Sequence, residues 1–118
     1  MRIIDPVLKE SIAKAMSDSH IRRMVWATVA KAKSATDLSA QLEIPIRTVY
    51  RYATTLSQLG ILTAESSSLL RGGGKYVLYR SMVTSIMVKY EGDMIEVDLI
   101  PNEGILERFM RFWSYMGR

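Results

Sequence analysis

Arg47, Thr48, Tyr50, Arg51 and Thr54 follow one another closely behind Pro45. Guanidinium groups pair with phosphate oxygens, or bidentately with guanine O6 and N7. Hydroxyl and methyl groups suit phosphates and the thymine methyl. The chemistry these residue types share is recognition of a polyanion, provided that one helix presents them together on its outer face. Arg71 and Lys75 flank Gly72-Gly73-Gly74 and bring positive charge to a second segment. Arg22 and Arg23 stand at the start of another helix, where they contact phosphates or merely keep that face solvated. For each of these side chains the plain alternative is a solvated surface, and for Tyr50 it is packing against the first helix.

Other chemistries are thinly provided for. With no cysteine there is no disulfide, no thiolate metal ligand and no cysteine nucleophile. The single histidine, His20, builds no metal site alone and reads as a helix-start residue. No Ser-His-Asp order and no pair of carboxylates suggests an active site. The triple glycine is not a phosphate-cradling loop, since no Lys-Ser/Thr follows it and no helix opens after it. The expectation is a protein that is not an enzyme, with no metal and no cofactor.

The polyanion-reading set needs a scaffold, and an irregular apolar ladder supplies one. Leu38 and Leu42 lie one helical turn apart, Ile44 plugs a bend, and Val49 and Tyr52 face back from a second helix into the same small core. Ser34 or Thr36 caps the first of these helices, about residues 37–43. Pro45 marks the turn, and the second helix runs to about Leu59, with Gly60 in the position of a C′ glycine.

Upstream, Asp5-Pro6 opens a helix with Val7, Leu8, Ile12, Ala15 and Met16 as its apolar stripe. Ser17-Asp18-Ser19 breaks it and caps a further helix expected to reach about Lys33. After Gly60 the period becomes alternating, with strands over 61–64 and 75–80 and a glycine-rich basic tip between them, the form of a wing. A second hairpin covers 82–101 around a Gly92-Asp93 turn, and Asn102 caps a final helix.

In order of elements this pattern resembles the winged helix-turn-helix transcriptional regulators, in particular the ArsR-like group of archaeal type. The resemblance rests on Ile21-Arg22-Arg23-Met24-Val25, on 35–42, on Ile46-Arg47-Thr48-Val49-Tyr50-Arg51 and on 56–62, and covers about residues 18–81. It implies an α+β fold: a winged helix-turn-helix over 1–81, with a recognition helix at about 45–59 and a wing at about 61–81. An additional β-hairpin and a C-terminal helix over 82–118 complete a single compact domain. It further implies a sequence-specific regulator that binds double-stranded DNA through Arg47, Thr48, Tyr50, Arg51, Thr54, Arg71 and Lys75. Glu43 and Ser39 depart from the glycine and alanine common in such turns. The lack of cysteine means that metal sensing is not carried over.

Charge and hydropathy add to this reading. Residues 1–81 carry 12 Lys/Arg against 6 Asp/Glu, and residues 82–118 carry 4 against 6, so the positive charge accompanies the candidate DNA-reading part. The final helix holds Ile105, Phe109, Phe112, Trp113 and Met116, an apolar surface wider than one small domain needs. That width and the resemblance together point to homodimerisation through this helix, against the simpler reading in which the helix fills a groove of its own chain. No apolar run approaches the ~20 residues of a membrane span, and residues 1–6 are too soon interrupted for a signal peptide, so a cytoplasmic location is expected. The alternative function is a winged-helix protein–protein interaction module of a transcription or replication assembly.

Overall fold

The computed structural model describes residues 1–67 and 76–116, with the backbone alone at 66, 67, 115 and 116. It is an α+β domain of five helices and two small antiparallel sheets. The order is α1 (Pro6–Met16), α2 (Ser19–Ala27), β1 (Lys33–Ser34), α3 (Ala35–Leu42), α4 (Ile46–Gln58), β2 (Leu62–Ser67), β3 (Tyr76–Ser81), β4 (Val83–Glu91), β5 (Met94–Pro101), a 3-10 turn (Glu103–Ile105) and α5 (Leu106–Met116). No described helix is long and apolar enough to cross a membrane.

Helix starts follow local chemistry. Asp5 caps α1 through the amide of Val7, Asp18 caps α2 through the amides of His20 and Ile21, and Ser34 caps α3 through that of Asp37. Ends depend more on tertiary partners. Helix α2 stops at Ala27, well short of Lys33, because the carbonyl of Thr28 is taken by the amide of Ser81 and Lys33–Ser34 pair with β3 as β1. Thr28 is fully buried, and its hydroxyl donates to the carbonyl oxygens of Met24 and Val25. Val7, assigned to the inner stripe of α1, is 73% exposed; Ile12, Ala15 and Met16 are buried.

One sheet runs β1-β3-β2, with Leu62 opposite Ser81 and Ser67 opposite Tyr76. Strand β2 therefore extends three residues beyond its expected end, into the segment read as loop. The other sheet is the β4–β5 hairpin, turned at Gly92, whose φ is +63°. Met1–Ile3 lie along β5: the amide of Ile3 donates to the carbonyl of Val97, and that of Leu99 to the carbonyl of Met1. Val97 and Leu99 face inward with Ile12, Met24, Leu38, Val49, Leu56 and Ile61 in one continuous core.

Helix α5 closes that core. Phe109 is 2% and Trp113 6% exposed, and Ile105 and Phe112 pack against the same cluster. The width of its apolar surface thus has a cause inside the chain, since Phe109 and Trp113 are covered by their own fold and present no surface to a partner. The side chain of Met116 lies outside the described residues. Among its described side chains, the large apolar ones that α5 leaves exposed are Leu106 and Met110, one turn apart. Gly60 makes the close approach possible: its φ is +76°, and a Cβ there would stand 2.3 Å from the Phe112 ring.

Candidate nucleic-acid interface

Helices α3 and α4 meet across Glu43, Ile44 and Pro45. Glu43 takes a left-handed conformation (φ 56°, ψ 47°), the place where a glycine would be unstrained. The neighbouring departure offsets this: Ser39 donates its hydroxyl to the carbonyl oxygen of Ile44 at 2.6 Å, and its own carbonyl accepts the amide of Ile44. Ile44 is buried in the bend. Pro45 is the N-cap of α4 and supplies no side-chain acceptor, and it is exposed together with Ile46 and Arg47, so the positive end of that helix faces solvent.

Val49, Ala53 and Leu56 bury one face of α4. Arg47, Tyr50, Arg51 and Thr54 are exposed on the rest, and Thr48 is half-buried. The guanidinium of Arg51 sits 5.4 Å from the centre of the Tyr52 ring, a cation–π distance. The Thr54 hydroxyl donates to the carbonyl of Tyr50 at 3.0 Å on this exposed face. Tyr50 is 51% exposed rather than packed on the first helix. Burial raises the pKa of Tyr79 on β3, and the Tyr50 hydroxyl adds to that rise; α4 packs against β2 of the same hairpin. Arg71 and Lys75 lie outside the described residues.

The pose of α4 is set from a distance. Tyr52 is half-buried and donates its hydroxyl to Asp18 Oδ2 at 3.0 Å, so the residue that caps α2 also anchors α4. Burial alone would raise the carboxyl of Asp18, but the hydrogen bonds from Tyr52 and from the amides of His20 and Ile21 outweigh it and hold the pKa below its ordinary value. The capping role was readable from Ser17-Asp18-Ser19. The bond to Tyr52 spans 34 positions and left no local signal.

Charge is distributed unevenly around this face. Among the described residues the ion pairs are Arg2 with Glu96 and Asp98, Lys89 with Glu91, Arg108 with Glu65, and Arg111 with Glu107. None involves Arg22, Arg23, Arg47 or Arg51. Arg22 instead donates to the carbonyl oxygen of Met16 at the end of α1, a helix-capping role, while Arg23 is exposed. No group of three or more His, Asp or Glu among the described residues is placed to hold a metal ion. Compared with known families and with curated proteins, the chain matches no family model and no curated sequence.

Proposed function

We propose that this chain is a winged helix-turn-helix transcriptional regulator that binds double-stranded DNA sequence-specifically as a homodimer. Helix α4 enters the major groove and the β2–β3 hairpin lies on backbone or minor groove. The observation that carries this reading is the outer face of α4. Arg47 and Arg51 are exposed there without a carboxylate partner among the described residues, beside Tyr50 and Thr54, while Val49, Ala53 and Leu56 lock the opposite face into the core. Cations left unneutralised on a rigid convex helix suit phosphates and base edges. A two-fold dimer sets two such helices about 34 Å apart, one turn of DNA.

Fluorescence anisotropy with a genomic fragment library, at two salt concentrations, tests the proposal. Affinity falls steeply with salt, because each phosphate contact releases counterions. Arg51→Ala weakens binding about tenfold or more, within the ~1–3 kcal/mol of a base or phosphate contact. Its melting temperature stays close to that of the parent, since Arg51 is exposed. Unchanged DNA affinity in Arg51→Ala at every salt tested refutes the role of α4.

A second reading, a protein-interaction module, has one observation in its favour. Met87, Met94 and Ile100 are exposed on the outer face of the β4–β5 hairpin, opposite Asp98, Glu91 and Ser85. It gains ground if no DNA fragment binds even at low salt.

A further inference from the structure

Strand β4 has β5 on one side and, among the described residues, no strand on the other. The direction of its main-chain groups follows from the hydrogen bonds on the far side of β5. The carbonyl of Val97 and the amide of Leu99 bond to Ile3 and Met1, so the backbone groups of both residues point away from β4. In an antiparallel pair, two residues that stand opposite each other either both turn these groups inward or both turn them outward. Val88 stands opposite Val97 and Ile86 opposite Leu99, so both aim N–H and C=O at the open edge, as does Tyr90 two residues on. None of these groups has a hydrogen-bond partner among the described residues. From Ile86 to Tyr90 the strand holds no proline and no bulge, two devices that keep such edges from pairing, and Lys89 is its only charge.

Side chains decide what kind of strand fits. On the outer face of the hairpin the strands alternate in sign. Arg2 lies across Glu96 and Asp98 of β5, at 3.7 and 3.3 Å, and Glu96 in turn stands opposite Lys89 of β4. The ion pair of Lys89 is with the exposed Glu91, two residues along its own strand at 3.7 Å, a contact worth little in water. On the other face Ile86, Val88 and Tyr90 stand opposite Leu99, Val97 and Ile95. The open edge presents the same two rows of side chains that β5 already answers, with apolar residues on one face and acidic ones on the other. We propose that this edge takes up an extended segment of a partner protein in which apolar and acidic residues alternate, adding a strand beside β4. A second copy of the chain fits less well. Turned antiparallel about Val88, the register that uses all three outward residues, it sets Lys89 opposite Met87 and diagonal to the other Lys89, with like charges close and no acid opposite.

The test contains no DNA, so its outcome is separate from that of the DNA-binding reading. The probe is a labelled peptide with blocked ends and the sequence Ile95-Glu96-Val97-Asp98-Leu99, and its counterpart carries lysine at both acidic positions. In fluorescence anisotropy the acidic peptide binds saturably and about fivefold tighter than the lysine peptide, the yield of exchanging an attractive cross-strand pair for a like-charged one. Lys89→Glu, a substitution at an exposed side chain, abolishes or reverses that order. By hydrogen exchange followed by NMR, the acidic peptide slows the amides of Ile86, Val88 and Tyr90, which point to the edge. Those of Met87 and Lys89, which point to β5, stay as they were. The proposal is overturned if neither peptide saturates, if the lysine peptide binds the parent chain as well as the acidic one, or if the order survives in Lys89→Glu. Slowing confined to other amides overturns it too. Protection of the three edge amides that rises with the concentration of the chain alone also overturns it, since it assigns the edge to a second copy.

Discussion

Asp18 does two jobs with one carboxylate. One oxygen takes the first amides of α2, and the other takes the hydroxyl of Tyr52 on α4. Both roles need the ionised form, which is why the pKa lies below its ordinary value despite the opposing effect of burial. The folded value being the lower one, this contribution is complete above the unfolded value, about 3.9, and is lost as pH falls through the folded value. Urea midpoints measured from about pH 5 down to pH 2 therefore drop for the parent chain. Asp18→Asn retains a capping side chain but loses the charge, and its midpoint changes less over the same range. An equal acid sensitivity in both proteins assigns the effect to other carboxylates. Arg51 belongs to the same neighbourhood through the Tyr52 ring, so the anchor and the proposed reading group are adjacent.

At the level of elements, the joins carry as much as the elements do. Asn102 was readable as the cap of the final helix, and its side-chain oxygen does accept the amide of Gly104. Its Nδ2 does more, donating to the carbonyl oxygens of Val29 at 2.9 Å and Ser81 at 3.0 Å. Arg80 donates to the same Val29 carbonyl. One buried amide thus joins the segment after α2, the end of β3 and the start of the C-terminal 3-10 turn. Asn102→Ala leaves the Ser81 carbonyl and the Gly104 amide without those partners, and the expected loss is about 2–4 kcal/mol. A shift in urea midpoint with unchanged slope measures it; a loss under about 0.5 kcal/mol, typical of a surface substitution, shows that the join is dispensable.

For the whole molecule, the question that α5 raises is whether any face of it meets a second copy, as the proposed homodimer would need. Phe109 and Trp113 are held in their own core, so Phe109→Ala unfolds rather than dissociates the protein, at about 3–5 kcal/mol for a buried aromatic. Removing residues beyond Pro101 would confuse the same two effects. Met110, 53% exposed and one turn from Leu106, separates them. Met110→Glu is expected to convert a dimer to a monomer in light scattering while the thermal transition of each chain persists. A dimer that persists excludes this face of α5 as the seam. The radius of gyration, 14.7 Å, exceeds the roughly 13.5 Å expected of a round chain this long. The exposed outer end of the β4–β5 hairpin fits that elongation.

Local rules carried the sequence reading a long way. Asp5-Pro6, Asp18, Ser34, Gly60 and Gly92 start or stop elements through bonds to atoms within a few residues, and the ladder from Leu38 to Tyr52 spaced two helices and a bend on one small core. Local chemistry also set apart the outward residues of α4, because Val49, Ala53 and Leu56 leave Arg47, Tyr50 and Arg51 no other side to occupy. Tertiary structure alone decided the early end of α2, the pairing of β1 with β3, the strand-like path of Met1–Ile3 and the burial of Phe109 and Trp113. Each of these depends on partners far away along the chain, such as Ser81 for Thr28 or Val97 for Ile3. An apolar helix face has the same sequence whether its own chain covers it or a second copy does. Only packing distinguishes the two, and here it gave the Phe109, Phe112 and Trp113 face of α5 to its own core.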